Sequence, residues 1–100
     1  MLYAILCEDL PGALARRREA RPQHLARLQE LQAEGRLILA GPHPAIDAED
    51  PGNAGFTGSL IVAEFATREA AVAWAAEDPY ALAGVYARVT VKPFRKVLPA

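Results

Sequence analysis

A chain of 100 residues, 52% of them apolar and 23% charged, has the composition of one globular domain spanning residues 1–100 and is too apolar for disorder. Its 11 Lys and Arg against 12 Asp and Glu give a formal net charge of -1, which leaves no cationic excess to hold nucleic acid or an anionic membrane. A domain this small buries only about two-thirds of its unfolded surface, so a partner subunit would add stability.

The run Leu2-Tyr3-Ala4-Ile5-Leu6-Cys7, closed by Glu8-Asp9 and then Pro11-Gly12, reads as a buried strand followed by a turn. Cys7, the only cysteine, reads as a small buried hydrophobe; a lone cysteine permits neither an internal disulfide nor a cysteine-based zinc site. Residues 13–34 are rich in Ala, Leu, Arg, Glu and Gln and end at Gly35, which predicts a helix. Pro22 leaves two readings inside it, one kinked helix or two helices with the second starting near Pro22. Leu37-Ile38-Leu39-Ala40 predicts a second strand running into Gly41-Pro42. Residues 43–57, with Pro44, Pro51, Gly52, Asn53 and Gly55 among acids, predict a long loop of the kind that often serves as a functional lid. Residues 58–65 predict a third strand. Thr67 then caps a second helix from Arg68 to about Glu77, ended by Asp78-Pro79. Val85, Ala87, Val89 and Val91 alternate with Tyr86, Arg88, Thr90 and Lys92, a fourth strand that Pro93 is expected to end.

The order β-α-β-β-α-β predicts an α+β fold of ferredoxin-like type, a four-stranded antiparallel sheet with both helices on one face. Two helices cover one side only, yet the first three strands are apolar on both faces. A second copy of the sheet, packed face to face at about 10 Å, would shield the other side, which predicts a homodimer. The N-terminus lacks the charged and apolar segments of a secretory signal, and no apolar run approaches the ~18 residues of a membrane span, so the cytoplasm is the expected compartment.

At about 100° per residue, Leu25, Leu28 and Leu31 define the buried stripe of the first helix, and His24 falls within it. Arg21 shares that sector, as does Arg17 if the helix is continuous. Polar groups at the N-terminal end of an apolar stripe suggest that it leaves the core there and lines a cleft. Imidazole suits proton transfer near neutral pH, although a histidine near a helix start can equally be a capping or packed residue. Asp78 ends the second helix in register with Ala71, Trp74 and Ala75. If the two helices lie side by side it can orient His24; its competing role is to start a turn before Pro79. Ser59 lacks the G-x-S-x-G setting of a hydrolase nucleophile and reads as a strand residue or site liner. His43 sits at the mouth of the long loop. Nothing matches a metal-site or phosphate-binding signature, so neither metal nor cofactor is expected.

These residues together resemble the YCII-related (YciI-like) family. The resemblance is carried by Arg21-Pro22-x-His24-Leu25-x-x-Leu28, Gly35-Arg36-Leu37, Ala40-Gly41-Pro42, Ala54-Gly55-Phe56-Thr57-Gly58-Ser59, Asp78-Pro79-Tyr80, Ala83-Gly84-Val85-Tyr86 and Val91-Lys92-Pro93-Phe94, from end to end of the chain. It implies a dimeric α+β barrel of ferredoxin-like subunits and an active site with a paired His and Asp, which map onto His24 and Asp78. The expectation is a small cytosolic enzyme with His24 as general acid/base and Asp78 as its orienter, and with Arg21, Ser59 and Tyr80 contacting substrate. Isomerisation or elimination on a small cyclic or aromatic acid suits such a site. The alternative is a non-catalytic module that binds a small metabolite or only dimerises. The separation of His24 from Asp78, and the presence of a cavity beside them, distinguishes the two.

Overall fold

The N-terminal apolar run becomes an interior strand, β1 (Leu2–Asp9), of the sheet in the computed structural model, which describes residues 1–100. After it come α1 (Leu14–Ala33), β2 (Leu37–Pro44), a short 3-10 turn (Gly52–Ala54), β3 (Phe56–Glu64), α2 (Arg68–Ala76), α3 (Pro79–Leu82) and β4 (Tyr86–Phe94). The strands lie in the order β2-β3-β1-β4, every adjacent pair antiparallel. This is the expected ferredoxin-like α+β arrangement.

Several boundaries differ from expectation. Of the two readings open at Pro22 the single helix holds: α1 runs unbroken for 20 residues with Pro22 inside it, on an exposed face. The helix ends at Gly35, whose φ of 73° is open to glycine at no steric cost. There Gly35 N–H donates to the Gln32 carbonyl and Arg36 N–H to that of Leu31, the paired bonds of a Schellman stop. Pro93 does not end the last strand, because β4 is an edge strand and a missing N–H is tolerated where half the donors face away from the sheet. The other edge strand, β2, holds Pro42 and Pro44 for the same reason and extends into the region expected to be loop. Asp78 does not merely close α2: it caps α3, a single turn absent from the sequence reading.

The side of the sheet facing the helices holds the core. Tyr3, Ile5 and Cys7 of β1, Ile61 and Ala63 of β3 and Val91 of β4 meet Leu28 and Leu31 of α1 and Ala71 and Ala75 of α2. Register pairs Ile5 with Ile61 and with Val91, so the three point the same way. The opposite side carries Leu2, Ala4, Leu6, Leu60, Val62 and Phe94, and no helix covers it.

Candidate functional site

Between α1, β2 and β3 the core opens into a cavity of about 250 Å³. An engineered cavity of about 150 Å³ is enough for benzene, so this one has room for a substituted single ring. Leu14, Leu25, Leu28 and Phe56 supply apolar wall, the edge strand β2 contributes Ala40, Gly41 and Pro42, and Arg17, Arg18, Arg21, His24, Ser59 and Tyr80 supply polar groups. No carboxylate lines it.

A defect in β3 brings two of these groups to one side. His43 of β2 lies opposite Gly58 while Pro44 lies opposite Phe56, so Thr57 is the extra residue of a bulge. In an unbroken strand residues 56 and 59 would face opposite ways. Here Phe56 and Ser59 both line the cavity. Gly58 makes the close approach possible, since a Cβ there would overlap the carbonyl oxygen of Cys7 on β1.

His24 and Asp78 meet although 54 residues separate them. His24 Nδ1 lies 2.9 Å from Asp78 Oδ1 and 3.0 Å from Oδ2, with both side chains buried. Asp78 Oδ1 also accepts the Tyr80 backbone N–H at 2.8 Å, the capping bond of α3. The short helix thereby fixes the carboxylate before it meets the imidazole. Tyr80 stacks on His24 with ring centroids 3.8 Å apart and an interplanar angle of 12°. With Nδ1 committed to the carboxylate, Nδ1 carries the proton of the neutral ring, and Nε2 is left with its lone pair.

Arg17 is the residue that sequence reasoning left incomplete. Its position seven residues before His24, about two turns, places it on the same helix face, but nothing in the sequence reveals its burial or its partner Asp9. Nε donates to Asp9 Oδ2 at 2.8 Å and Nη2 to Oδ1 at 3.1 Å, a bidentate pair. Nη2 also reaches the Gly58 carbonyl at 3.2 Å and Ser59 Oγ at 2.8 Å. The guanidinium carbon lies 4.7 Å from the Tyr80 ring centroid and 5.3 Å from that of Phe56. Burial works against this cation, yet the hydrogen bond and charge of Asp9 prevail and raise its pKa further. Burial also raises the Tyr80 phenol, against the opposing pull of Arg17.

All five residues expected at the site are accounted for. His24, Arg21, Ser59 and Tyr80 line the cavity, and Asp78 stands behind His24. Arg21 is exposed at the mouth, whereas Ser59 and Tyr80 are buried. His43 is exposed and lies away from this cavity. Beneath the site Cys7 is buried, and burial pushes its thiol up to about 11.

Comparison with known proteins follows the whole chain. A family model described as the YCII-related domain matches residues 1–95. Protein YciI of Escherichia coli O6:H1 is 60% identical over 97 residues, covering 97% of this chain and 99% of that protein. An uncharacterized protein of Haemophilus influenzae is 59% identical over 97 residues with the same coverage. Among solved structures, 5-chloro-2-hydroxyhydroquinone dehydrochlorinase (TftG) from Burkholderia phenoliruptrix AC1100, in complex with 2,5-dihydroxybenzoquinone, superposes with a TM-score of 0.83 at 27% identity, covering 95% of this chain and 94% of that one.

Proposed function

The chain belongs to the YCII-related domain family, and from that premise we propose that it is a small-molecule enzyme working by general acid/base catalysis with His24 and Asp78. The single observation that carries this reading is a buried imidazole at a cavity wall with Nδ1 held by a carboxylate at 2.9 Å. Asp78 fixes the tautomer and stabilises the imidazolium that forms, so that Nε2 is the atom that accepts and returns a proton. Nothing about Asp78 requires it to change protonation. Its second bond to the Tyr80 amide holds it still, and the stacked Tyr80 ring keeps the imidazole from rotating away.

The reaction class follows from the room and the polarity. A cavity with space for one ring, apolar walls and a cationic rim suits isomerisation or elimination on a small cyclic or aromatic acid. Arg21, Ser59 and Tyr80 contact the substrate in this reading. The likeness to a dehydrochlorinase bound to a dihydroxybenzoquinone supports elimination from an oxygenated ring as the chemistry to assay first. The setting is cytosolic, and no helix is long and apolar enough to cross a membrane.

The working unit is a homodimer formed by the uncovered sheet face. That face presents Leu6, Leu39 and Phe94, which are 38%, 48% and 40% exposed in the single chain. A matching sheet would remove them from water.

The test is turnover of 5-chloro-2-hydroxyhydroquinone and of a panel of small cyclic acids and lactones by wild type and His24→Ala. Loss of the base is expected to lower kcat by about 10² to 10⁴-fold while the circular dichroism spectrum is unchanged. Unchanged turnover by a folded His24→Ala protein rejects the acid/base role.

A further inference from the structure

We infer that Arg17, through its Nη1 amino group, is the seat for a negatively charged oxygen of the substrate, opposite the proton-transfer nitrogen of His24. The inference rests on the acid/base reading of the cavity and assigns a residue and a ligand charge that the reading leaves open.

The hydrogen-bond inventory of this side chain points to Nη1. Nε and Nη2 are taken by Asp9, Gly58 and Ser59. Nη1 makes no such well-formed bond, the Tyr80 hydroxyl being the other polar group close to the guanidinium, and it is not among the buried atoms sealed without a partner, which are Arg27 Nη1 and the Tyr86 hydroxyl. The residue is only 4% exposed and lines the cavity, so the small surface it retains serves an acceptor inside. Two N–H groups of a cation, desolvated and unfilled, form a strong anion site, because hydrogen bonds to charged groups exceed neutral ones. Asp9 stiffens the fork from behind without entering the cavity. Ser59 adds a neighbouring hydroxyl, whose oxygen accepts from Nη2. Arg18 and Arg21 extend the positive field to the mouth, with no carboxylate in the lining to cancel it.

Position makes the seat useful to the chemistry. Tyr80 touches both groups, its ring centroid 4.7 Å from the Arg17 guanidinium carbon and 3.8 Å from the His24 ring centroid. The guanidinium and imidazole are therefore no farther apart than those two distances laid end to end, close enough for one small ring to touch both. When Nε2 removes a proton from a saturated ring carbon beside a carbonyl, the C–H pair becomes a C=C bond and the carbonyl π pair moves onto its oxygen, which Nη1 holds as an enolate. In elimination the pair returns and expels an anionic leaving group from the neighbouring carbon, the proton remaining on His24. In isomerisation the pair returns to bond that same proton at another carbon. The preferred ligand is thus an oxygenated ring that carries or develops an oxyanion, a phenolate, enolate or carboxylate.

Binding can be tested apart from turnover by calorimetry on His24→Ala, using 2,5-dihydroxybenzoquinone, ionised at neutral pH, against the neutral 2,5-dimethoxybenzoquinone. The expected preference for the anion is about 10- to 100-fold. Changing Arg17→Gln together with Asp9→Asn, so that no carboxylate is left unpaired, should reduce it to within about threefold. If that pair does not fold, Arg17→Lys, whose single ammonium stays with Asp9, should lose the preference in the same way. A preference that survives in a folded Arg17 variant, or an anion that binds no better than the neutral ring, overturns the seat. Those results leave the His24 turnover test untouched, and an active His24→Ala enzyme would refute the base without moving these affinities.

Discussion

Tyr86 carries a hydroxyl that is sealed from water beside the Cys7 thiol and the Ser59 hydroxyl, with no well-formed hydrogen bond to either. It stands edge-on to Tyr80, with ring centroids 5.9 Å apart at 89°, so its ring contributes packing while its oxygen contributes a desolvation cost. Tyr86→Phe keeps the first and removes the second. It is expected to leave stability unchanged or raise it by about 1 kcal/mol in urea unfolding, and a loss of more than about 1 kcal/mol would show that the hydroxyl has a partner. Cys7, buried on the same side of the sheet, sets a pH dependence. Burial raises its pKa from 9.0 to about 11, so above pH 9 the unfolded chain has released a proton that the folded chain retains. The unfolded state then binds fewer protons, and stability falls as pH rises from 9 to about 11, by about 2 to 3 kcal/mol for the thiol. The buried Tyr80 and Tyr86 phenols, both raised by burial, add to the same decline. Urea midpoints measured from pH 8 to 11 should show a shallower fall in Cys7→Ala than in wild type. His24 was legible in the sequence because helical periodicity puts it on an apolar stripe, and Asp78 because it ends a helix on the inward side. Arg17 showed its face but not its depth, which Asp9 and the β3 bulge determine through contacts 8 and 42 residues away in sequence.

The elements were legible where apolar periodicity runs unbroken and obscure where tertiary pairing overrides a local signal. The interior of β1 and the whole of α2 follow from their own residues. Proline reads as a terminator, and that rule failed at Pro93, Pro42 and Pro44 because both strands holding them are edges. At Pro22, where the sequence left one helix or two open, residues on both sides of the proline, Arg17 and Ala20 before it and His24, Leu28 and Leu31 after it, bury the same face and hold α1 as one helix. The bulge at Thr57 left no trace, since its cause is a register slip against β2 rather than any preference of threonine. Gly58 beside it is the position where element geometry and site geometry coincide. With a Cβ overlapping the Cys7 carbonyl oxygen, Gly58→Ala forces β1 and β3 apart. The expected cost is about 3 kcal/mol in thermal or urea unfolding. The Gly58 carbonyl and Ser59 hydroxyl would also move from under Arg17, so any anion preference of the cavity should weaken with it. A variant as stable as wild type would mean that the strands tolerate the wider spacing.

At the scale of the whole molecule, strands apolar on both faces already pointed to a second cover for the sheet, and the uncovered face shows which residues such a cover would shield. Val62 and Ile61 are adjacent in β3 and face opposite ways: Ile61 belongs to the helix-side core, whereas Val62 sits among Ala4 and Leu39 on the other face. Val62 is itself only 3% exposed in the single chain, so a charge placed there would injure the protomer itself, whatever its effect on the proposed dimer. Leu6 separates the two effects. It lies near the middle of that face, opposite Leu60 and Thr90, and is 38% exposed in the single chain. A lysine at this position can lay its stem on the sheet and keep its ammonium in water in the monomer, at little cost. A facing sheet about 10 Å away would instead desolvate the charge. Leu6→Lys is therefore expected to convert a dimer to a monomer by sedimentation, and to remove the dependence of the melting temperature on protein concentration. The cavity lies on the other side of the sheet, between α1, β2 and β3, so the monomeric variant should still bind 2,5-dihydroxybenzoquinone. A Leu6→Lys protein that sediments as an unaltered dimer would place the subunit contact elsewhere, and a monomeric wild type would mean that the apolar face stays in water.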